Sequence, residues 1–210
     1  SSITISKIEV WVTNKSSNFK EARNILAFMD LGEHEGNEPN NPKGNIYNNV
    51  GSFQENSGFQ YPESIYPFNE ANGLYQQITS NYAGVRQSDN INKTLSPLSA
   101  SNFVGGQDFE KIESARLLNE SEYTINLNLG YISLRSALNT DEILAVAFNY
   151  TADGKTYQVG EFSTDGINGP ETLVLKLLKG TNLSPKLPTW KLMMKNIYDL
   201  NAYQLTDEEF

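Results

Sequence analysis

Glu161 and Asp165 lie four residues apart at the end of an alternating run, and paired carboxylates are what a glycoside-cleaving site needs. Such a pair works only when the carboxyl groups stand about 5 to 10 Å apart across a cleft, so spacing alone makes them no more than candidates. A hairpin-end charge paired with Lys or Arg is the commoner use of Glu161, because Glu is rarely buried without a partner. A second cluster, Asp30, Glu33, Glu35, Asn37 and Glu38, offers the hard oxygen ligands that calcium prefers. It lacks the sixth-place glycine and closing twelfth-place Glu of an EF-hand loop, and a solvated acidic loop accounts for the same residues. His34 is the single histidine. With no second imidazole and no thiolate it builds no ordinary zinc site, and no nucleophile elbow stands near it for a Ser-His-Asp triad. Gly105-Gly106 follows no clear strand and opens no clear helix, the context a phosphate cradle requires. Tyr61, Tyr66, Phe68, Tyr75 and Tyr82 suit either a sugar-binding platform or the closing of a core beneath a long loop, and the second use is commoner. The expectation is no catalytic residue and no cofactor, with Asp30, Glu33, Glu35 and Asn37 as the candidates for a metal, calcium.

The totals narrow the partners. A net charge of -9 and a pI near 4.7 oppose a nucleic-acid surface, which needs a basic stripe, and oppose docking on anionic lipid. Zero cysteines remove thiol catalysis, thiolate metal sites and disulfides. No run reaches the ~18 apolar residues of a membrane helix. The chain opens directly on a strand pattern and ends on the polar stretch 206–210, which predicts a soluble fragment of a longer protein. Its 210 residues suffice for one domain, 1–210, with a loop insertion at about 32–64 rich in Asn, Gly, Pro and Glu.

The elements that must position these groups are mostly strands. Residues 141–163 hold two alternating runs around Asp153-Gly154, a two-residue hairpin turn. That register sets Ala152 against Lys155, Tyr150 against Tyr157, Phe148 against Val159 and Val146 against Glu161. One face then carries Leu144, Val146, Phe148, Tyr150, Tyr157 and Val159 as a core face. The other carries Ala145, Ala147 and Gly160, small enough for a helix to approach. Residues 3–12 alternate apart from a slip at Ser6-Lys7 that a bulge explains, with Trp11 and Glu9 on the polar side. Residues 23–31 suit a buried strand or a short helix; their length and lack of caps favour a strand, joined to the first by a hairpin. Helical spacing of Leu74, Tyr75, Ile78 and Tyr82 predicts a helix over 69–82. Phe109, Ile112 and Leu117 suit a strand or a helix, with a strand leading to a turn at 119–122 the favoured reading, and two short extended pieces follow within 123–134. Residues 172–178 form a strand with Leu173, Leu175 and Leu177 inward. After Pro185 and Pro188 a helix over 189–200 starts at Thr189 and carries Trp190, Met193, Met194, Ile197 and Leu200 on one stripe, which packs on the sheet. The fold class expected is α+β, a mostly antiparallel sheet with a few packed helices including this C-terminal one.

The C-terminal block LSPKLPTWKLMMKNIYDLNAYQL (183–205) closely resembles a segment of the SprA/Sov family, the giant outer-membrane translocons of the type IX secretion and gliding-motility system of Bacteroidetes. Three further blocks resemble the same family in the same order: 8–33, IEVWVTNKSSNFKEARNILAFMDLGE; 115–134, ARLLNESEYTINLNLGYISL; and 141–167, DEILAVAFNYTADGKTYQVGEFSTDGI. Together they cover roughly half of the chain, and residues 35–114 carry no such likeness. One departure is Asn201 where the family pattern has Gly, and Asn also tolerates the left-handed conformation that ends helices. The resemblance implies a soluble insertion from a very large barrel protein, non-catalytic, with the rest of the barrel, secreted cargo and accessory secretion subunits as partners. It implies placement on the extracellular cap, or alternatively the periplasmic face. A surface glycan-binding or glycan-cleaving module built on the acids and aromatics of 33–82 is the competing expectation.

Overall fold

The computed structural model describes residues 3–16, 19–32, 66–71, 73–95, 103–127, 130–187 and 189–193. Among the described residues eight strands carry the fold: β1 (Thr4–Val12), β2 (Arg23–Phe28), β3 (Phe109–Leu117), β4 (Tyr123–Asn126), β5 (Tyr131–Leu134), β6 (Leu144–Ala152), β7 (Lys155–Val159) and β8 (Leu173–Lys179). Short helical turns from Leu74 to Thr94 separate β2 from β3, and one turn, Thr189–Leu192, follows β8. The described chain is mostly β, with few helices.

The strands run β1-β3-β2-β8-β6-β7, and β1 also pairs with β6 along its whole length. That last pairing closes β1-β3-β2-β8-β6 into a barrel rather than the simple antiparallel sheet expected. On its other edge β6 pairs with β8 over 144–146 and with β7 over 148–152, so β7 extends the sheet outside the ring. Every pairing in the ring is antiparallel except β2 with β8. β3 lies between β1 and β2, so the expected hairpin of the first two strands does not form. The reason lies in β2 itself: Ile25, Leu26, Ala27 and Phe28 are all fully buried, the two-faced burial of a strand inside a sheet with a parallel neighbour.

The hairpin register of 148–159 is as the sequence predicts, with Asp153 and Gly154 both at positive φ in the turn. The slip in β1 is a register shift between Ile5 and Lys7. The faces, however, are exchanged. Trp11 stands opposite Ala145, which stands opposite Leu177 on its other side, and these join Ile25, Leu173, Ala147 and Phe162 in the main core. Val10, Val12, Leu144 and Val146 form a second cluster under Ile125, Ile132 and Leu134 of the β4–β5 hairpin. Among the described residues that hairpin is a separate two-stranded sheet, and it covers the ring from outside. Volume explains the exchange. A ring of only five strands has a narrow interior, so the indole of Trp11 fits only where its neighbours across the wall are alanines. The Trp190 helix therefore does not lie on the Ala145 face. Thr189 is buried and the Thr189–Leu192 turn rests near β8, while Met194, Ile197 and Leu200 fall outside the described residues.

The expected helix over 69–82 begins later, as Leu74–Gln76 running into a π turn, Gln77–Asn81. Leu74 and Ile78 are buried in the main core. Asn69, instead of opening the helix, fastens residues 66–69 to the edge of β7. Its backbone N–H donates to Gln158 O (2.8 Å), and its side-chain Oδ1 accepts from Gly160 N (2.8 Å). A side chain at Gly32 would meet Phe68 O at 3.3 Å, so the chain departs at Gly32 and is back beside it by Phe68.

Candidate functional site

Gly160, at φ +77°, turns the chain out of β7, and a Cβ there would sit 3.1 Å from Ala147 Cα and Val146 O. This bend ends the alternation one residue before Glu161, so Glu161 never stands opposite Val146, which pairs with Lys176 instead. Glu161 is 1% exposed and joins β8 by two bonds: its N–H donates to Val174 O (2.9 Å), and its Oε2 accepts from Val174 N (2.7 Å). Arg86, from the turn Ala83–Arg86, closes a fork on the carboxylate, Nη1 to Oε2 at 2.7 Å and Nη2 to Oε1 at 2.6 Å. Arg86 Nη1 also donates to Thr172 O (2.8 Å), and Tyr75 Oη donates to Glu161 Oε1 (2.8 Å).

Electrostatics agree with this geometry. Burial, reinforced by the neighbouring Glu161 charge, pushes the Tyr75 hydroxyl far above its ordinary range. Burial works against the Arg86 cation, yet the hydrogen bonds and charge of Glu161 outweigh it and hold the guanidinium protonated. The cluster is a clamp between the helical turns and the barrel wall, with both carboxylate oxygens of Glu161 already engaged. Asp165 is spent separately, its Oδ2 accepting from Phe162 N (2.9 Å) and Gln158 Nε2 (2.7 Å). The two carboxylates named as a glycosidase pair thus each serve a local structural bond. The partner of Glu161, 75 residues away in sequence, had no signal in the spacing.

Two more buried acids behave alike. Glu9 accepts from Ser163 N (2.9 Å), Ser163 Oγ (2.8 Å) and Trp11 Nε1 (3.2 Å), while Glu110 Oε1 accepts from Thr181 N and Oγ1, each at 2.7 Å. Of the calcium candidates, Asp30 is buried beyond the end of β2, and Glu33, Glu35 and Asn37 fall outside the described residues, as does His34. Among the described residues no three acids, histidines or cysteines converge on a point that suits a metal ion. Gly105 and Gly106 lie in a tight turn into β3, where Gly106 N donates to Phe109 O (2.8 Å).

Of the aromatics, Phe68 and Tyr66 pack on Tyr157 with ring centroids 5.7 and 5.4 Å away, and Tyr157 stacks on Tyr150. Tyr82 packs against the main core and Tyr75 is held in the clamp. They line no common platform. Tyr61 lies outside the described residues.

One cavity, about 330 Å³, opens between the barrel and the β4–β5 hairpin. Val12, Leu118, Leu134 and Leu138 form its apolar part, and Arg116, Arg135, Glu122 and Glu142 stand among its polar lining. Arg116 Nη1 donates to both oxygens of Glu122 (2.9 and 2.8 Å), which caps the turn after β3 by accepting from Asn119 N (2.9 Å). This pairing with Arg116, added to the Asn119 bonds, holds the Glu122 carboxyl below its usual range. The expected turn at 119–122 is a 3₁₀ turn, and the structure adds a capping box between Asn119 and Glu122. Nothing in the sequence marked the cavity, because its two walls come from elements that meet only in the fold. In comparisons with known proteins, no family model and no curated protein matches the chain.

Proposed function

We propose that this chain is a non-catalytic structural and interaction domain of an outer-membrane translocon of the SprA/Sov kind, part of type IX secretion and gliding motility. The observation that carries the reading is the set of four blocks that resemble that family in one order. Block 8–33 spans most of β1 and all of β2, 115–134 spans the end of β3 with the β4–β5 hairpin, and 141–167 spans β6, β7 and the Glu161 turn. Three of the blocks thus hold β2, β6, β7, parts of β1 and β3, and the outer hairpin, while β8 and most of β3 lie outside them. The use of Glu161, Glu9, Glu110 and Asp165 in local bonds also favours a binding role over a catalytic one. In this reading the domain stands on the extracellular cap, the periplasmic face being the alternative, and contacts the translocon barrel, its cargo or accessory subunits.

The test is the full gene. Alternating strands of ~10 residues on both sides, as in a transmembrane barrel, are the expected result. A short reading frame without flanking barrel strands overturns the proposal. In a host carrying the gene, excision of the domain is expected to reduce surface delivery of secreted cargo.

A further inference from the structure

We propose that the cavity between the barrel and the β4–β5 hairpin binds a small amphipathic carboxylate, its acid group on Arg135 and Arg116 and its apolar body on Leu118, Leu134 and Leu138. The inference does not depend on the translocon reading. It rests on a balance of donors and acceptors. Both oxygens of Glu122 are engaged: Oε2 accepts from Arg116 Nη1, Asn119 N and Asn119 Nδ2 (3.2 Å), and Oε1 from Arg116 Nη1. Glu142 has Oε2 taken by Asn139 N (2.6 Å). On the donor side the Arg116 side chain uses only Nη1, and the side chains of Arg135, Ser121 and Ser136 have no hydrogen-bond partner among the described residues. A guanidinium carries five N–H donors in a planar fork, so the lining holds many open donors against one open carboxylate oxygen.

A ligand that answers this lining brings acceptors, and a carboxylate matches the fork of Arg in two parallel bonds. The rest of the wall selects further. Val12 and Leu118 are 2% and 8% exposed, a dry inner part beside the exposed Arg135, so the fitting molecule is charged at one end and apolar at the other. The volume lies at the small end of ligand sites, which suits one short aliphatic or aromatic acid. The same chemistry arises from a free acid or from the terminal residue of a peptide.

The experiment is an amide-resolved NMR titration of the ¹⁵N-labelled chain with 4-methylpentanoate, N-acetylleucine, 4-methylpentanamide and inorganic phosphate. Saturable shifts at Leu118, Leu134 and Ser136 are expected with the two acids, and at least tenfold weaker ones with the amide. Tighter binding of N-acetylleucine assigns the site to a peptide end, and tighter binding of 4-methylpentanoate to a free acid. Arg135→Gln is expected to weaken either acid at least tenfold with an unchanged melting temperature, because the side chain is exposed and unpaired. Absence of saturable shifts at these residues, an equal response to the amide, stronger binding of phosphate, or an unaltered affinity in Arg135→Gln each overturns the proposal.

Discussion

Arg86→Leu tests the clamp most directly. The substitution removes both arms of the fork on Glu161 and the bond to Thr172 O, and leaves a carboxylate that is 1% exposed with only Val174 N and Tyr75 Oη as donors. Breaking a buried pair from one side costs about 3–5 kcal/mol, because the remaining charge stays out of water without compensation. Arg86 is itself partly solvated, its side chain 20% exposed, which places the expected loss near the lower bound, about 3 kcal/mol. For a chain of this length that lowers the melting temperature by about 6–12 °C. Glu161→Gln keeps the shape and removes the charge, and strands the Arg86 cation less severely because water reaches it. The double variant Arg86→Leu with Glu161→Leu leaves no unpaired charge and is expected to recover about 1–3 kcal/mol relative to the sum of its singles. Urea unfolding of the wild type, Arg86→Leu, Glu161→Leu and their double variant, with equal slopes, supplies the cycle. A loss below about 1 kcal/mol for Arg86→Leu, or strict additivity in the double variant, refutes the reasoning and makes the clamp a surface contact.

Three further outcomes follow from the same packing. Gly160→Leu forces a side chain into a left-handed position and against Ala147 Cα at 3.1 Å, at a combined cost of about 2–5 kcal/mol; an unchanged melting temperature contradicts it. Burial, with the nearby Tyr157 and Tyr66 hydroxyls, pushes the Tyr150 hydroxyl up to about 12. A raised folded value means the stabilisation is complete below the ordinary Tyr range near pH 10 and is lost as pH rises towards 12, which chemical unfolding at stepped alkaline pH reads; Tyr150→Phe is expected to flatten that fall. Replacing residues 34–65 by a short Gly-Ser linker is expected to leave the barrel folded, since Gly32 and Phe68 already meet, with loop closure favouring the shorter chain by about 1.5 kcal/mol. Loss of the cooperative unfolding transition counters that expectation.

Local rules were legible wherever a residue's neighbours in sequence are also its neighbours in space. Asp153-Gly154 fixes the hairpin and its register, the slip at Ser6 marks a bulge, and 119–122 reads as a turn. In each case a backbone conformation or a bond spanning two to four residues carries the information. The alternation of β8 was equally plain, whereas 23–31 and 109–117 suited a strand or a helix by sequence, and β2 ends at Phe28, short of the apolar run.

The tertiary structure alone decided which way the faces point and what the charges do. Alternation along β6 separates Leu144 and Val146 from Ala145 and Ala147, but both sets are apolar enough to bury. The choice is made by the width of a closed ring and by Trp11, which the sequence placed on the outer side. Barrel closure itself depends on β1 meeting β6 across more than 130 residues, an encounter no local pattern encodes. Glu161 is the same lesson at one residue: its spacing suggested chemistry or a hairpin-end charge, and a bend at Gly160 together with a guanidinium from Arg86 made it a buried strut. Spacing along the chain offers a list of groups, and only the fold settles which of them share a cavity and which neutralise one another.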